Sequence, residues 1–179
     1  MTLNPTVDIV IPVLNEEESL PICVQKLLSY TNKFKQYSWK IVIADNGSED
    51  LTGQIAKKLA KTYSNVSYFH IKEKGRGRAL KLAWGESTSE VMVYMDVDLS
   101  TNLDALIPLV DAIVIENFDI CVGTRLSKNS KVIGRKIIRE IMSRGYNFLI
   151  NCFFPVKGFS DAQCGFKGIS KKLGYNILP

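Results

Sequence analysis

The sequence predicts an α/β protein with a mainly parallel central sheet flanked by helices. Short apolar runs rich in β-branched residues recur along the chain, and stretches of helical periodicity separate them. Several of the runs end in polar clusters, as strands do where they leave a core. The 179 residues make one domain's worth of chain, long enough for a substantial core.

Val7 to Leu14 reads as the first strand, Trp39 to Ala44 as the second and Val66 to Ile71 as the third. Val91 to Met95 is the fourth and Asp119 to Val122 the fifth. Between the first two, Glu17 to about Tyr30 reads as a helix with Ser19 and Pro21 near its start, where helices favour them. Ser48 to Tyr63 follows with Ile55, Leu59 and Ala60 on an apolar stripe. Ala79 to Trp84 is a short helix, and Leu103 to Asn117 a longer one with Leu106, Leu109, Val110 and Ile113 inward.

Ligands of open α/β sheets bind beyond the carboxyl ends of the strands. Here those ends read Asn15-Glu16, Asp45-Asn46-Gly47-Ser48 and Asp96-Val97-Asp98. The last is the sharpest, because a buried strand ending in two acids spaced i, i+2 needs something to bind them. Carboxylates converging at a strand end suit a hard cation, Mg²⁺ or Mn²⁺, which commonly holds a substrate phosphate too. Helix capping by Asn15 and Ser48 accounts for each cluster singly. It does not account for acids gathering at one edge, so a shared nucleotide and metal site is the expectation.

Six segments in order, Pro12-Val13-Leu14-Asn15-Glu16-Glu17, Asp45-Asn46-Gly47-Ser48-Glu49-Asp50, Lys74-Gly75-Arg76-Gly77-Arg78-Ala79, Asp96-Val97-Asp98-Leu99-Ser100, Gly123-Thr124-Arg125 and Asp161-Ala162-Gln163-Cys164-Gly165-Phe166-Lys167, resemble the family 2 glycosyltransferases of GT-A fold. Within that family the likeness is to the dolichyl- and polyprenyl-phosphate glycosyltransferases. The resemblance implies one catalytic domain over residues 1–179, ending short of the family's usual C-terminal portion. It implies that Pro12, Asn15 and Glu16 line the nucleoside and that Asp45 reads the uracil or guanine base. Gly75 and Arg76 stand for the family's Gly-Lys-Gly turn beside the nucleotide, with Arg in place of Lys. Asp96 falls near the ribose or the metal, Asp98 binds the metal, and Arg125 reaches the phosphates. Asp161 and Gln163 are the exposed polar candidates of a loop near sugar and acceptor; a plain glycine turn with Phe166 packed inward is the simpler alternative.

The reaction so implied moves a sugar, with inversion, from a nucleotide diphosphate sugar to an acceptor. A hydroxyl acceptor needs a general base, whereas a lipid phosphate is already ionised. The sole histidine, His70, ends the third strand and reads as structural. The absence of an evident base favours a polyprenyl or dolichyl phosphate acceptor over a saccharide hydroxyl; a nucleotide-sugar-binding remnant without turnover is the non-enzymatic reading. A sugar nucleotidyltransferase would place a Gly-rich basic loop after the first strand, where this chain has Asn15-Glu16-Glu17-Glu18. A dinucleotide-binding fold is not expected either, since Gly75-x-Gly77 is in the wrong place and lacks the third glycine of that fingerprint.

The net charge of +5 is unevenly placed. Arg125, Lys128, Lys131, Arg135, Lys136, Arg139 and Arg144 share one stretch whose only acid is Glu140. From Ile133 to Phe154 such cations interleave with apolar residues, which suits either a helix at an anionic membrane surface or one packing its apolar side on the sheet. Nucleic acid is not the expected partner, since stacking aromatics do not accompany the charges. The N-terminus lacks a signal-peptide pattern, and no apolar run approaches the roughly 18 residues that span a bilayer. A cytoplasmic protein is expected, peripheral at the cytosolic face of a membrane. Its four cysteines form no CxxC pair and are expected as free thiols.

Overall fold

The computed structural model describes residues 4–124, 137–153, 161 and 163–177. Among these residues six strands form one sheet: β1 (Thr6–Val13), β2 (Ser38–Asp45), β3 (Val66–His70), β4 (Val91–Met95), β5 (Ile120–Val122) and β6 (Phe166–Ser170). Their order across the sheet is β3-β2-β1-β4-β6-β5. β1 pairs in parallel with β2 and β4, and β2 with β3; β6 runs antiparallel to both β4 and β5. Helices α1 (Ser19–Thr31), α2 (Thr52–Thr62), α3 (Arg76–Glu86), α4 (Leu106–Val114), α5 (Ile137–Phe153) and α6 (Lys171–Ile177) complete the described elements. None of the described helices is long and apolar enough to cross a membrane.

β1 is buried on both faces, as a central parallel strand must be. Its odd residues, Val7, Ile9, Ile11 and Val13, join Leu20, Val24 and Leu27 of α1, Ala56 of α2, and Leu106, Leu109 and Ile113 of α4. Val10 faces the other way, with Val42 and Ala44 of β2 against Ala79 and Ala83 of α3. The period-2 alternation of the strand thus divides two helix layers. Asp8, also facing inward, is matched by two hydroxyls, Ser87 Oγ and Ser89 Oγ, each 2.7 Å from a carboxylate oxygen.

Four expectations change. Helix α3 starts at Arg76, three residues before Ala79, because Gly75 takes a positive φ of 153° that turns the chain into the helix. Helix α2 starts at Thr52 and not Ser48, since residues 48–51 are tied into the preceding loop. The long helix at Leu103 divides into a 3₁₀ turn, Leu103–Ala105, with Asn102 accepting the Asp104 N–H, and then α4. The segment Asp161 to Lys167, read as a loop or a turn, runs at its end into a sheet strand, Phe166–Ser170, and Phe166 packs in the core as the simpler alternative had it.

α5 bears on the two amphipathic readings through the side it hides. Ser143 and Asn147 are buried, while Met142, Tyr146, Leu149 and Phe153 are exposed. The alternative of an apolar side packed on the sheet does not hold for the described side chains. Of the cysteines, Cys23 and Cys164 are buried, Cys121 is half-buried and Cys152 exposed, and none is in a disulfide.

Close approach of α4 to β6 depends on Gly168, where an added Cβ would lie 2.9 Å from Ile113 Cδ1 and collide with Leu109. We expect Gly168→Val to cost about 1–3 kcal/mol by overpacking, read from urea unfolding; unchanged stability would mean that α4 does not press on the sheet there.

Candidate active site

The register of the parallel strands brings the expected polar clusters to one edge. Val13 of β1 pairs with Asp45 of β2, and β4 lies on the other side of β1. The two loops leaving β1 and β2 are then stitched to each other by backbone donors and side-chain acceptors. The Asn15 N–H donates to Ser48 Oγ at 3.0 Å and the Glu16 N–H to Thr52 Oγ1 at 2.8 Å. In return the Glu49 N–H donates to Asn15 Oδ1 at 2.9 Å and the Leu51 N–H to Glu17 Oε2 at 2.9 Å. Asn15 and Ser48 therefore cap no helix; they join loops. Asn15 sits at φ 54°, a left-handed conformation asparagine tolerates better than most residues.

Next to this seam opens a cleft of ≈ 450 Å³ lined by Pro12, Leu14, Glu16, Asn46, Gly75, Arg76, Asp96, Val97 and Asp98. That size is ordinary for a small-molecule site. Asn46 fixes its floor: Nδ2 donates to the Val13 carbonyl at 2.7 Å, and Oδ1 accepts the Gly75 N–H at 3.2 Å. One buried amide thus sets the start of α3 against the end of β1.

Asp96-Val97-Asp98 forms a turn closed by the Leu99 N–H on the Asp96 carbonyl at 3.3 Å, with Leu99 at φ 51°. Val97 drops into the core, which leaves the two acids on the cleft side. Asp98 is exposed, one oxygen accepting the Ser100 N–H at 2.9 Å. Asp96 is held by partners at one oxygen and packed closely at the other. Its Oδ1 accepts the Tyr94 hydroxyl at 2.7 Å and lies 3.3 Å from Arg76 Nη1. Its other side abuts Gly165, where an added Cβ would come within 2.8 Å of Asp96 Cγ. The antiparallel pairing explains that contact: Phe166 lies opposite Met95, so the residue before β6 meets the residue after β4. Burial, and then the Asp96 carboxylate, push the Tyr94 phenol up to about 12, so it stays a donor at neutral pH.

Asp45 is buried and does not line the cleft. Its Oδ1 accepts the Ser48 N–H at 3.0 Å; Oδ2 accepts the Tyr68 hydroxyl at 3.2 Å and lies 3.0 Å from His70 Nδ1. His70, remote in sequence, is therefore a direct partner of a candidate site residue. Burial raises the Asp45 carboxyl, but the hydrogen bonds from Ser48 and His70 outweigh it and hold the group below its usual value.

Of the residues singled out from sequence, Pro12, Glu16, Gly75, Arg76, Asp96 and Asp98 share the cleft. Asn15 serves the loop seam, and Gln163 is exposed. Asp161, expected to be exposed, is instead buried, with Oδ1 accepting the Gln163 N–H at 3.2 Å. That bond and the Cys164 N–H on the Asp161 carbonyl shape the turn that delivers Gly165. Arg125 lies outside the described residues. Sequence reasoning missed Tyr94, whose hydroxyl was hidden in an apolar run, and the pairing of His70.

Among the described residues no three His, Cys, Asp or Glu side chains form a metal-binding group. A divalent ion that holds a substrate phosphate needs only one or two protein carboxylates, the rest being phosphate oxygens and water. Asp96 and Asp98, hard oxygen donors at a cleft mouth, fit Mg²⁺ or Mn²⁺ in that role.

A depressed Asp45 stabilises the fold fully above its unfolded value of 3.8, and that contribution is lost as pH falls through its lower folded value. Asp45→Asn should cost about 1–3 kcal/mol at neutral pH, because an amide cannot accept from all three donors. It should also flatten the acid limb of a stability–pH profile. Urea midpoints measured across that limb check it, and an unaltered slope would contradict it.

Residues 8–174 match the sequence model of Glycosyl transferase family 2. Glycosyltransferase AglD of Haloferax volcanii is 30% identical over 168 residues, 93% of this chain and 27% of that protein. Dolichyl-phosphate beta-glucosyltransferase of Mus musculus is 29% identical over 185 residues, 94% of this chain and 56% of that protein. The chain thus spans little more than half the length of the mouse relative, and less of the archaeal one. Glucosyl-3-phosphoglycerate synthase from Mycobacterium tuberculosis, solved with Mn²⁺, uridine diphosphate and glucosyl-3-phosphoglycerate, superposes with TM-score 0.66 at 17% identity, over 94% of this chain and 58% of that one. With a family match over nearly its whole length and a fold that superposes on solved GT-A glycosyltransferases, the chain belongs to glycosyl transferase family 2 and has the GT-A fold.

Proposed function

We propose that the domain is the donor-binding part of a hexosyltransferase that moves a sugar from a UDP- or GDP-sugar to a polyprenyl or dolichyl phosphate. The observation that carries this is the cleft itself: strand-end acids from separate parts of the sequence meet there beside one arginine. Family membership and the dolichyl-phosphate relative support the reaction class and the acceptor.

In this reading the nucleoside lies along Pro12 and Glu16, with Asp45 and its partners Tyr68 and His70 backing the base side. The diphosphate extends toward Asp96, Asp98 and Arg76. Asp98, with Asp96, would hold a Mg²⁺ or Mn²⁺ ion, which when bound would supply Lewis-acid stabilisation of the leaving diphosphate. The chain's own residues orient the donor. Asp96, fixed by Tyr94 and Gly165, keeps one geometry, and Arg76 sets a permanent positive charge at the cleft wall. Arg125 is carried by the resemblance as a second phosphate contact. The bond from the anomeric carbon to the nucleoside diphosphate breaks, an acceptor phosphate oxygen bonds to that carbon from the opposite face, and the nucleoside diphosphate leaves. An ionised phosphate needs no general base, only orientation and cation support. Gln163, exposed beside the Gly165 turn, is placed on the sugar and acceptor side, with Asp161 buried beneath it as a support.

The acceptor reading also places the domain at the cytosolic face of a membrane. Met142, Tyr146, Leu149 and Phe153, at i, i+4, i+7 and i+11 of α5, form an exposed apolar stripe. The adjoining sequence has seven cations in residues 125–144 against the single acid Glu140. An interfacial helix needs that combination, and anionic lipid complements the charge.

Calorimetric titration with UDP, GDP and their glucose and mannose derivatives, with and without Mn²⁺, tests the donor site. One base should bind in a metal-dependent way, and Asp98→Asn should weaken that binding by at least about tenfold without unfolding the protein. Equal affinity in the variant removes the metal role from Asp98. For the membrane, vesicles of phosphatidylcholine mixed with phosphatidylglycerol should retain the protein better than phosphatidylcholine alone, in a salt-sensitive way. Leu149→Glu combined with Phe153→Glu should abolish retention, whereas undiminished retention would rule out α5 as the contact.

A further inference from the structure

Three cations alternate at the start of α3, and only one turns into the cleft. Lys74 pairs with Glu49 at 2.8 Å, and Arg78 pairs with Glu73. Arg76 between them reaches Tyr94 Oη and Asp96 Oδ1, each at 3.3 Å from Nη1. Among the described residues lining the cleft, Glu16, Asp96 and Asp98 bring three carboxylates and Arg76 the single cation. As it stands this lining is anionic, and it repels a diphosphate.

Arg76 is lightly held: its side chain is 67% exposed, it opens the helix, and a partly exposed ion pair of this kind is weak. Asp96 is not free, because Tyr94 and Gly165 hold it. When a divalent cation joins Asp96 and Asp98, the guanidinium faces a like charge and loses its carboxylate. The nearest new anion is the diphosphate that the same cation attracts, and a guanidinium matches phosphate geometry with two parallel donors.

We propose that Arg76 is the resident counter-ion of Asp96, exchanged for the divalent cation on loading and then transferred to the donor's diphosphate. The exchange rests on the donor-site reading given above. It makes one side chain a competitor of the metal in the free protein and a clamp on the nucleotide in the loaded one. Metal and nucleotide are thereby coupled, and by linkage each favours the other.

The two roles have opposite signs in one variant. Arg76→Gln keeps much of the side-chain volume and removes the charge. Without nucleotide, Mn²⁺ titrated by electron paramagnetic resonance should bind the variant about two- to fivefold more tightly, the span of an exposed ion pair. At saturating Mn²⁺, calorimetry should show UDP or GDP binding about tenfold or more weakly, as loss of a charge-assisted phosphate contact requires. Unchanged or weaker Mn²⁺ affinity overturns the competition, and unchanged nucleotide affinity overturns the clamp. Wild-type protein that binds no Mn²⁺, with or without nucleotide, would instead bring down the donor-site reading on which the exchange rests.

Discussion

Asp96 stands where β4 leaves the core, and three separate parts of the chain are built around its carboxylate. Tyr94, two residues earlier on the same strand, gives it a hydroxyl proton; Arg76 at the start of α3 gives it a charge; Gly165 leaves it room. Any side chain at position 165 would drive into that carboxylate, so the approach of β6 to β4 and the orientation of Asp96 are one constraint. The antiparallel direction of β6 is what allows it: only a strand running against β4 can begin where β4 ends. The parallel half of the sheet brings the β1 and β2 loops to the same edge by the ordinary rule for crossover connections.

The loops gain their precision from hydrogen bonds and not from burial. Backbone donors of Asn15, Glu16, Glu49 and Leu51 are all met by side chains of the opposite loop. Exposed loops without such partners open at small cost; cross-stitched ones hold a ligand-facing geometry before the ligand arrives, which reduces what binding must spend on ordering. Asp45 extends the same scheme inward. It ties Ser48 of its own loop to Tyr68 and His70 of β3, so the seam is anchored across two strands.

Much of this was legible in the residues. The β-branched runs marked β1 to β4 within a residue or two, and the two acids spaced i, i+2 at the end of β4 marked the strand end at which the cleft opens. What failed has physical reasons. Gly75-Arg76-Gly77 looks like a loop by propensity, yet the Asn46 side chain fixes Gly75 and the helix begins at once. Phe166 to Ser170 includes a glycine and alternates poorly, because Gly168 serves the fit of α4 and not the strand itself. Asp161 looked like a surface acid, whereas its carboxylate shapes the Gly165 turn from beneath. In α5 the sequence showed apolar residues interleaved with cations but carried no information on which way they face; the buried side holds Ser143 and Asn147. Pairings between distant positions, such as His70 with Asp45, leave no local pattern at all.

The claim that this cleft holds a nucleotide diphosphate through a cation at Asp96 and Asp98 is tested most directly by paramagnetic broadening. Mn²⁺ added below stoichiometry to isotopically labelled protein, in the presence of UDP or GDP, should erase the amide signals of Val97, Leu99, Gly75 and Gly165 first. Signals of Tyr63 and Asn65, which lie at the opposite end of the sheet before β3, should persist. Broadening that spares Val97 and Gly165, or that falls elsewhere on the domain, would contradict the account.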